Sequence, residues 1–409
     1  MADARATTRR TFGLDLARSV PLGIVETLFQ TFAVLVLIKH FESGQMTKAT
    51  LLAMSKVGLI ASFAIVPLLR LLGWKTTTLS GVLNLASTAG IAAAAISGSE
   101  TTFIASLVLS AIAFMLQIPL MTHIYRANYP GERRGQLFGV SATVRGIAAA
   151  LFALWAGRSL EADITRYQPL MWIFVACGLL SSITLFLTPS PPPPAGGVRL
   201  FDAFAWLKSD RVFRNLIVSW FILGSANLTC VALHVEWLAN PRTGLGYDEF
   251  TVSFISVTLL VTAKLSTTYL WARWFDRTNF FLLRLILNAL FATAILLIFT
   301  TRYLPVIALG FIMQGFAFAG GNIAWSLWVT KVAPEEHVAE YMSVHTFTTG
   351  LRGVVAPYLG FWLITVTSPA NIAIGAAFMM GVASLFILPE VRLRPRRKGE
   401  ALTPDDPGV

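Results

Sequence analysis

Twelve long apolar runs follow one another along this chain and leave little room for a water-soluble core. They cover residues 16–38, 50–72, 76–96, 102–125, 135–156, 168–187, 213–237, 249–274, 279–299, 304–330, 338–364 and 370–388. A membrane-spanning helix needs roughly 20 mostly apolar residues, and in lipid every backbone amide must be bonded within the protein. The runs lack the alternation of barrel strands. The pattern therefore predicts an all-α integral membrane protein with twelve transmembrane helices.

Composition excludes the main alternatives to a membrane protein. The 409 residues are 55% hydrophobic and 13% charged, whereas about 25% of residues are charged in a soluble domain. The net charge is +11, but the cations lie between apolar runs rather than on one polar face, which excludes a nucleic-acid partner. The two cysteines, Cys177 and Cys230, both lie inside apolar runs, which excludes a disulfide framework and a zinc site.

Lysine and arginine are distributed unequally between the two sets of loops. With the N-terminus in the cytoplasm, twenty lie on the cytoplasmic side: Arg5, Arg9, Arg10, Arg70, Lys75, Arg126, Arg133, Arg134, Arg199, Lys208, Arg211, Arg214, Arg273, Arg277, Lys331, Arg392, Arg394, Arg396, Arg397 and Lys398. Six lie opposite: Lys39, Lys48, Arg158, Arg166, Arg242 and Arg302. Because cytoplasmic loops are enriched in these residues, we predict a multi-pass protein of the cell inner membrane with both termini in the cytoplasm.

A proline-rich connection divides the chain near its middle. Four consecutive prolines lie within residues 188–197 and favour an extended spacer. The apolar residues that follow alternate with charged ones as in a short amphipathic helix. We therefore expect an N-terminal six-helix bundle (1–187), a cytoplasmic linker with that helix (188–212), a C-terminal six-helix bundle (213–390) and a cytoplasmic tail (391–409).

The two halves of the chain also repeat a sequence pattern. Arg145-Gly146 in segment 5 is followed by Trp155, and Arg352-Gly353 in segment 11 is followed by Trp362 at the same spacing. Asn84 and Asn288 occupy corresponding places in segments 3 and 9. Recurrence at corresponding positions indicates two related six-helix units.

This plan resembles that of the major facilitator superfamily of secondary transporters. The loop between segments 8 and 9 contains Asp276-Arg277, which is similar to the Asp-Arg of a motif in that family, and the resemblance implies that these two residues gate the cytoplasmic side. The first copy of the motif is not matched, because Arg70 stands where the Asp belongs. The arginine that many proton-coupled drug exporters carry in helix 4 is also absent, and Gln117 occupies that region.

Ionisable residues deep inside the segments point to a site within the membrane. Lys56, Arg145, Lys264 and Arg352 lie in segments 2, 5, 8 and 11, and Glu26 is a comparably deep acid in segment 1. A cation at the bilayer centre costs about 2.5–3.5 kcal/mol on insertion scales, so it normally faces the bundle interior or a wet cavity. The resemblance implies that these five helices line a central cavity. An excess of cations there favours an anionic substrate.

The sequence favours Lys264 and Arg352 as the principal substrate contacts. These two resemble the paired cations of bacterial dicarboxylate exchangers such as the oxalate–formate exchanger. Arg352 shares a polar helical stripe with Tyr341, His345 and Thr348, which is typical of a wet face. Gln314 and Asn227 are further candidates to line the cavity. Arg284 lies near the inner end of segment 9 and is not expected in the cavity.

Several of these residues keep a second interpretation. Lys56 either contacts substrate or snorkels to the interface. Arg145 either contacts substrate or pairs with Glu26. The Glu26 carboxylate either couples transport to a proton or forms a structural ion pair. Glu236, near the outer end of segment 7, is read as an ordinary interface residue.

These features discriminate between three functional classes. The first is a secondary transporter of a small organic or inorganic anion, working by alternating access, with a proton or counter-anion as the coupled species. The alternative is a proton-coupled transporter or exporter of a neutral or hydrophobic solute, a sugar or drug. An enzyme is not expected, because the five histidines form no metal box and no phosphate-binding loop is present. We expect no cofactor or metal, and a monomer in the bilayer.

Overall fold

The computed structural model describes residues 2–61, 64–130, 133–191, 204–334 and 337–392. We number the spans α1 to α12. They are α1 (Arg5–Lys39), α2 (Gln45–Met54, Val57–Ala61 and Ile65–Leu72), α3 (Thr76–Ala95), α4 (Glu100–Asn128), α5 (Arg134–Ala162), α6 (Tyr167–Leu187), α7 (Arg211–Ala239), α8 (Glu249–Arg277), α9 (Phe280–Phe299), α10 (Leu304–Leu327 and Val329–Val332), α11 (Val338–Val366) and α12 (Pro369–Ile387). No strand is found in these residues.

Eleven of these helices are long and apolar enough to cross a membrane, and α2 is the exception because it is interrupted. One interruption falls at Ser55 and Lys56, where the chain turns between two short helical pieces. Residues 62 and 63 lie outside the described part of the chain. The second apolar segment is therefore broken at Ser55 and Lys56 rather than forming one continuous helix.

The cytoplasmic linker is described only at its ends. Trp206–Ser209 form one helical turn, where the sequence predicts a longer amphipathic helix. The first residues of that predicted helix, 200–203, and most of the C-terminal tail lie outside the described residues. The N-terminal helix is longer than its apolar run, because the polar residues that precede the run are helical too.

The helices pack as two related bundles of six. In the N-terminal half, α1 packs on α5 and α6, and α3 packs on α4 and α6; in the C-terminal half, α7 packs on α11 and α12, and α9 packs on α10 and α12. The repeated asparagines act alike: the Asn84 amide donates to Ser182 Oγ at 2.8 Å, and the Asn288 amide donates to Ser384 Oγ at 2.9 Å. The predicted pseudo-symmetric fold is confirmed.

The halves meet along two seams, α2 with α11 and α5 with α8. Hydrogen bonds cross between the halves on the outer side: the Thr258 hydroxyl donates to the Ala150 carbonyl at 2.9 Å, and the Tyr358 hydroxyl donates to Thr50 Oγ1 at 3.1 Å. These bonds hold the outer halves of the seams together.

One face of α5 shows that the same seam is open toward the cytoplasm. A Cβ added at Gly157 would lie 2.9 Å from the Ser253 side chain of α8, and one added at Gly146 would lie 3.0 Å from Leu265. Gly139 and Gly135 lie two and three turns further along that face, and an added Cβ there would meet nothing within 4 Å. The seam is therefore closed at its Gly157 end and open at the end that the loop charges predict to be cytoplasmic, which corresponds to an inward-facing arrangement.

Close approach of α1 and α5 predicts a large difference between two glycines of α1. A Cβ at Gly23 would overlap the backbone carbonyl of Arg145, whereas one at Gly13 would meet nothing within 4 Å. We expect Gly23→Ala to destabilise the protein by about 1–3 kcal/mol, since backbone must shift. Gly13→Ala should be neutral or stabilising by up to about 1 kcal/mol. Thermal unfolding in detergent measures both, and equal effects would contradict this packing.

Candidate functional site in the interface between the halves

Three predicted charges lie where α1, α5 and α8 approach one another. Arg145 Nη1 lies 3.4 Å from Glu26 Oε1, and the two side chains are 30% and 27% exposed. Lys264 lies next to Leu265, which approaches Gly146 across the seam, and its ammonium makes no hydrogen bond or ion pair among the described residues. The group carries two cations and one carboxylate, a net charge of +1 when all are ionised. We call Glu26, Arg145 and Lys264 the interface triad.

Gly146, next to Arg145, lets α5 and α8 approach each other closely. An added Cβ at Gly146 would lie 3.0 Å from the Leu265 side chain and 3.2 Å from Val261. These residues flank Lys264 on α8. Because α5 and α8 belong to different halves, the triad spans the interface that must change during alternating access.

Lys56 lies at the other seam. An added Cβ at Gly353 of α11 would lie 2.8 Å from Lys56 Cγ, and the Lys56 ammonium has no bonded partner in the described part of the chain. Lys56 and Lys264 are repeat-related, so each seam presents one half-buried lysine to the interface.

A buried ion pair closes the outer side, and its importance was missed from the sequence. Lys48 Nζ lies 2.6 Å from Glu236 Oε2, with side chains 1% and 0% exposed. The Glu236 carboxylate also accepts from Gln45 Nε2 at 2.9 Å and from Thr243 Oγ1 at 2.6 Å. The reading of Glu236 as an ordinary interface residue is therefore wrong. The sequence places Glu236 near the end of a span and does not show that Gln45, Lys48 and Thr243 enclose its carboxylate.

Two further contacts surround this closure. The Lys39 ammonium donates to the Tyr247 carbonyl at 3.0 Å and lies 3.7 Å from a Glu249 carboxylate oxygen. Arg242 and Glu42 form an ion pair at 3.0 Å, but their side chains are 78% and 70% exposed. Water screens the buried Lys48–Glu236 pair less than the exposed Arg242–Glu42 pair.

Arg352 and His345, both predicted to contact substrate, lie inside the C-terminal half. The Arg352 guanidinium, 7% exposed, donates to the Trp220 carbonyl and to Thr349 Oγ1. The His345 ring is fully buried against Trp220, with ring centroids 4.1 Å apart. In this conformation neither side chain joins the interface triad, and their contact with substrate stays a prediction.

Three other predicted residues are also engaged within the C-terminal half. Tyr341 is buried near the cytoplasmic end, where its hydroxyl donates to Asp210 Oδ2 at 2.6 Å. The Gln314 amide donates to Asn227 Oδ1 at 3.3 Å, and both residues are buried. Their predicted place in the substrate site is not tested by these contacts.

Asp276 and Arg277 lie exposed at the cytoplasmic end of α8. Neither takes part in a hydrogen bond or ion pair within the described ranges. Their predicted gating role is not tested by this exposure.

Sequence reasoning also missed a buried network near the cytoplasmic end of α1. The Tyr125 hydroxyl donates to Asp15 Oδ1 at 2.6 Å, and Arg18 Nη2 donates to the Tyr125 hydroxyl at 3.0 Å. Asp15 and Arg18 are 6% and 5% exposed. They precede the hydrophobic centre of the first run, so hydropathy alone placed them at the membrane edge.

Over the residues that the structure describes, no three of His, Cys, Asp or Glu are grouped so that they could hold a metal ion.

Comparisons with known proteins agree with this architecture. The Major Facilitator Superfamily model matches residues 238–406. The comparison with curated proteins gives no match. A mutant of the nucleoside transporter NupG superposes with a TM-score of 0.76 at 13% identity, covering 93% of this chain and 99% of that one. A D-xylose-proton symporter gives 0.66 at 15% identity, with 98% and 99% covered.

A third similar structure is a bacterial homologue of the human lysosomal transporter Spinster in an inward-facing, unoccupied conformation. It superposes with a TM-score of 0.67 at 13% identity, covering 95% of this chain and 97% of that one. The family match covers the C-terminal part of the chain, and the solved structures show that nearly the whole chain has the fold of these proteins.

Proposed function

We propose that this protein is a secondary transporter of the major facilitator superfamily and that it carries a small organic or inorganic anion. The observation that carries the proposal is the interface triad, in which Arg145 pairs with Glu26 and Lys264, across the same seam, has no bonded partner among the described residues. An uncompensated cation in a partly desolvated site is costly. An anion bound between Lys264 and Arg145 would neutralise that charge and gain charge-assisted hydrogen bonds.

The two seams give such an anion a route through alternating access. Lys56 supplies a further cation at the α2–α11 seam, so the cationic interface is wider than the triad. In the inward-facing arrangement the splayed cytoplasmic halves admit the anion. We infer that closure on that side brings Asp276 and Arg277 into contact with the N-terminal half while the outer ion pair opens.

Glu26 is our proposed coupling group. Its carboxylate competes with a substrate anion for Arg145, so protonating Glu26 would release Arg145 to the substrate. Binding of a proton to Glu26 would therefore favour binding of the anion, which predicts symport of an anion with a proton. Exchange against a counter-anion is the other mode that the same triad would support.

A neutral solute is the second proposal. It rests on the fold comparisons, where the similar structures include a nucleoside transporter and a D-xylose-proton symporter. In that case the Glu26–Arg145 pair would serve coupling alone, and Lys264 would gate. We further propose that the protein acts as a monomer in the cell inner membrane, with both termini cytoplasmic.

Uptake into proteoliposomes tests the anion proposal directly. Purified protein would be offered labelled mono- and dicarboxylates, phosphate, a nucleoside, a pentose and a cationic drug, with and without a proton gradient. We expect saturable uptake for one class of anion and for none of the neutral or cationic compounds. Uptake of the nucleoside or pentose alone would replace the anion by a neutral solute.

A further inference from the structure

A second group of buried cations lies within the C-terminal half, away from the interface triad. Three basic side chains converge on Trp220 of α7. The Arg284 guanidinium carbon lies 4.9 Å from the centre of the Trp220 ring, Arg352 donates to its carbonyl, and the His345 ring packs on it. They are 3%, 7% and 0% exposed. We call Arg284, Arg352 and His345 the C-terminal cluster.

These cations have too few partners for their burial. Arg284 donates to Asn288 Oδ1 at 3.3 Å, and Arg352 donates to Trp220 and Thr349. The Nε atoms of both arginines and both ring nitrogens of His345 are buried without a hydrogen-bond partner in the described structure. Neither arginine has an ion-pair partner there either.

The acids of this half whose side chains the structure describes are engaged elsewhere or exposed. Asp210 binds Tyr341, Glu236 binds Lys48, Glu249 lies beside Lys39, Asp248 caps α8, Glu390 accepts from Asn215, and Asp276 is exposed. Two buried guanidinium groups without a counter-charge are strongly unfavourable.

The internal repeat shows what the cluster lacks. In the N-terminal half, Gly23 of α1 touches Arg145, and Glu26 one turn later pairs with it. In the C-terminal half, an added Cβ at Gly224 of α7 would overlap the Arg352 guanidinium. The residue one turn later is Asn227, a neutral amide where the N-terminal half has a carboxylate. The counter-charge present in one half is therefore missing, among the described side chains, from its repeat in the other.

We propose that a small monovalent anion of halide or carboxylate size binds in the C-terminal cluster, between Arg284 and Arg352 and against Trp220. The bound anion supplies the negative charge that Glu26 supplies to Arg145. Unpaired Nε–H groups of both arginines are donors for it, and a charge-assisted hydrogen bond is the strong kind. The site lies within one bundle, so it is separate from the substrate site proposed at the interface.

Thermal unfolding of the purified full-length protein in detergent tests the site with chloride and acetate as probes. The salt would be exchanged against sodium gluconate at constant ionic strength, because gluconate is too large for a site enclosed by α7, α9 and α11. We expect chloride or acetate to raise the unfolding temperature saturably in the wild type and in Lys264→Gln. In Arg284→Gln and Arg352→Gln the half-saturating concentration should rise at least tenfold.

Asn227→Glu is the sharper variant, and it keeps both arginines. The new carboxylate should pair with Arg352, so the protein in gluconate should be as stable as the wild type in chloride, with the response to chloride largely lost. Three results would each overturn the site: no chloride or acetate response in the wild type, an unchanged response in Asn227→Glu, or a response lost in Lys264→Gln instead. The last would assign anion binding to the interface triad. Because the readout is stability, its outcome is independent of which solute is transported.

Discussion

Glu236→Gln should shift the protein from the inward-facing state toward a state open on the outer side. The substitution leaves the Lys48 ammonium buried and unpaired whenever the outer side is closed. Removing one partner of a buried ion pair costs about 3–5 kcal/mol, and water relieves this cost when the outer side opens. At about 1.4 kcal/mol per factor of ten, the ratio of the two states should change by roughly a hundredfold or more.

Distances between spin labels at Ser99 and Arg302 would measure the shift. Both positions are exposed on the outer loops, one in each half. Arg242→Gln is the matched control, because it breaks an outer ion pair that is exposed and worth about 0–1 kcal/mol. The double variant Lys48→Met with Glu236→Leu removes both charges and should be milder than either single change. Equal label distances in Glu236→Gln and Arg242→Gln would remove the gating role of the buried pair.

Lys264→Gln should reduce uptake of an anionic substrate by about 10- to 100-fold. The estimate is the loss of one charge-assisted hydrogen bond, worth about 1.5–3 kcal/mol. Lys264 is the cleanest residue to change, because its ammonium has no protein partner in the described structure that would be orphaned. Arg145→Gln should cost at least as much, since it also leaves Glu26 without its ion pair.

Charge-conserving variants separate position from charge. Lysine acts as a point charge while arginine grips a carboxylate with two parallel bonds, so Lys264→Arg should be mild and Arg145→Lys more costly. Initial rates of uptake, corrected for the amount of protein in the liposomes, provide the measurement. Arg302→Gln, which removes one exposed outer cation, is the control. Wild-type rates in both Lys264→Gln and Arg145→Gln would end the anion proposal and favour the neutral solute.

The N-terminal half shows how far a sequence can predict such a site. The depth of a residue within the membrane can be predicted from the sequence, because hydropathy and helical rise give its distance from the membrane edge. Glu26, Arg145 and Lys264 were found that way, and the alternative that Arg145 pairs with Glu26 matches the observed geometry. Their meeting point depends on Gly146 allowing α5 and α8 to approach, a contact between helices more than 100 residues apart.

The sequence did not determine the direction in which each side chain points around its helix axis. Arg352 and Lys264 have similar depths, yet Lys264 lies between Val261 and Leu265, which approach α5 across the seam, and the Arg352 side chain turns toward Gly224 and Trp220 within its own half. Arg284, placed near a span end from the sequence, is 3% exposed beside the same tryptophan. A side chain's direction is set by how helices rotate against their neighbours, and small residues on a partner helix decide it.

The sequence by itself determined the membrane class, the related halves and the family resemblance, and it predicts the orientation from loop charges. Each follows from local quantities: the length of apolar runs, the positions of lysine and arginine, and recurring residues at matching places. Only the tertiary structure decided which deep charges meet, that Lys48 and Glu236 close the outer side, and that the C-terminal cluster lacks a counter-charge among the described residues. Those features require contacts between distant helices, where burial, and not sequence position, sets the energy of a charge.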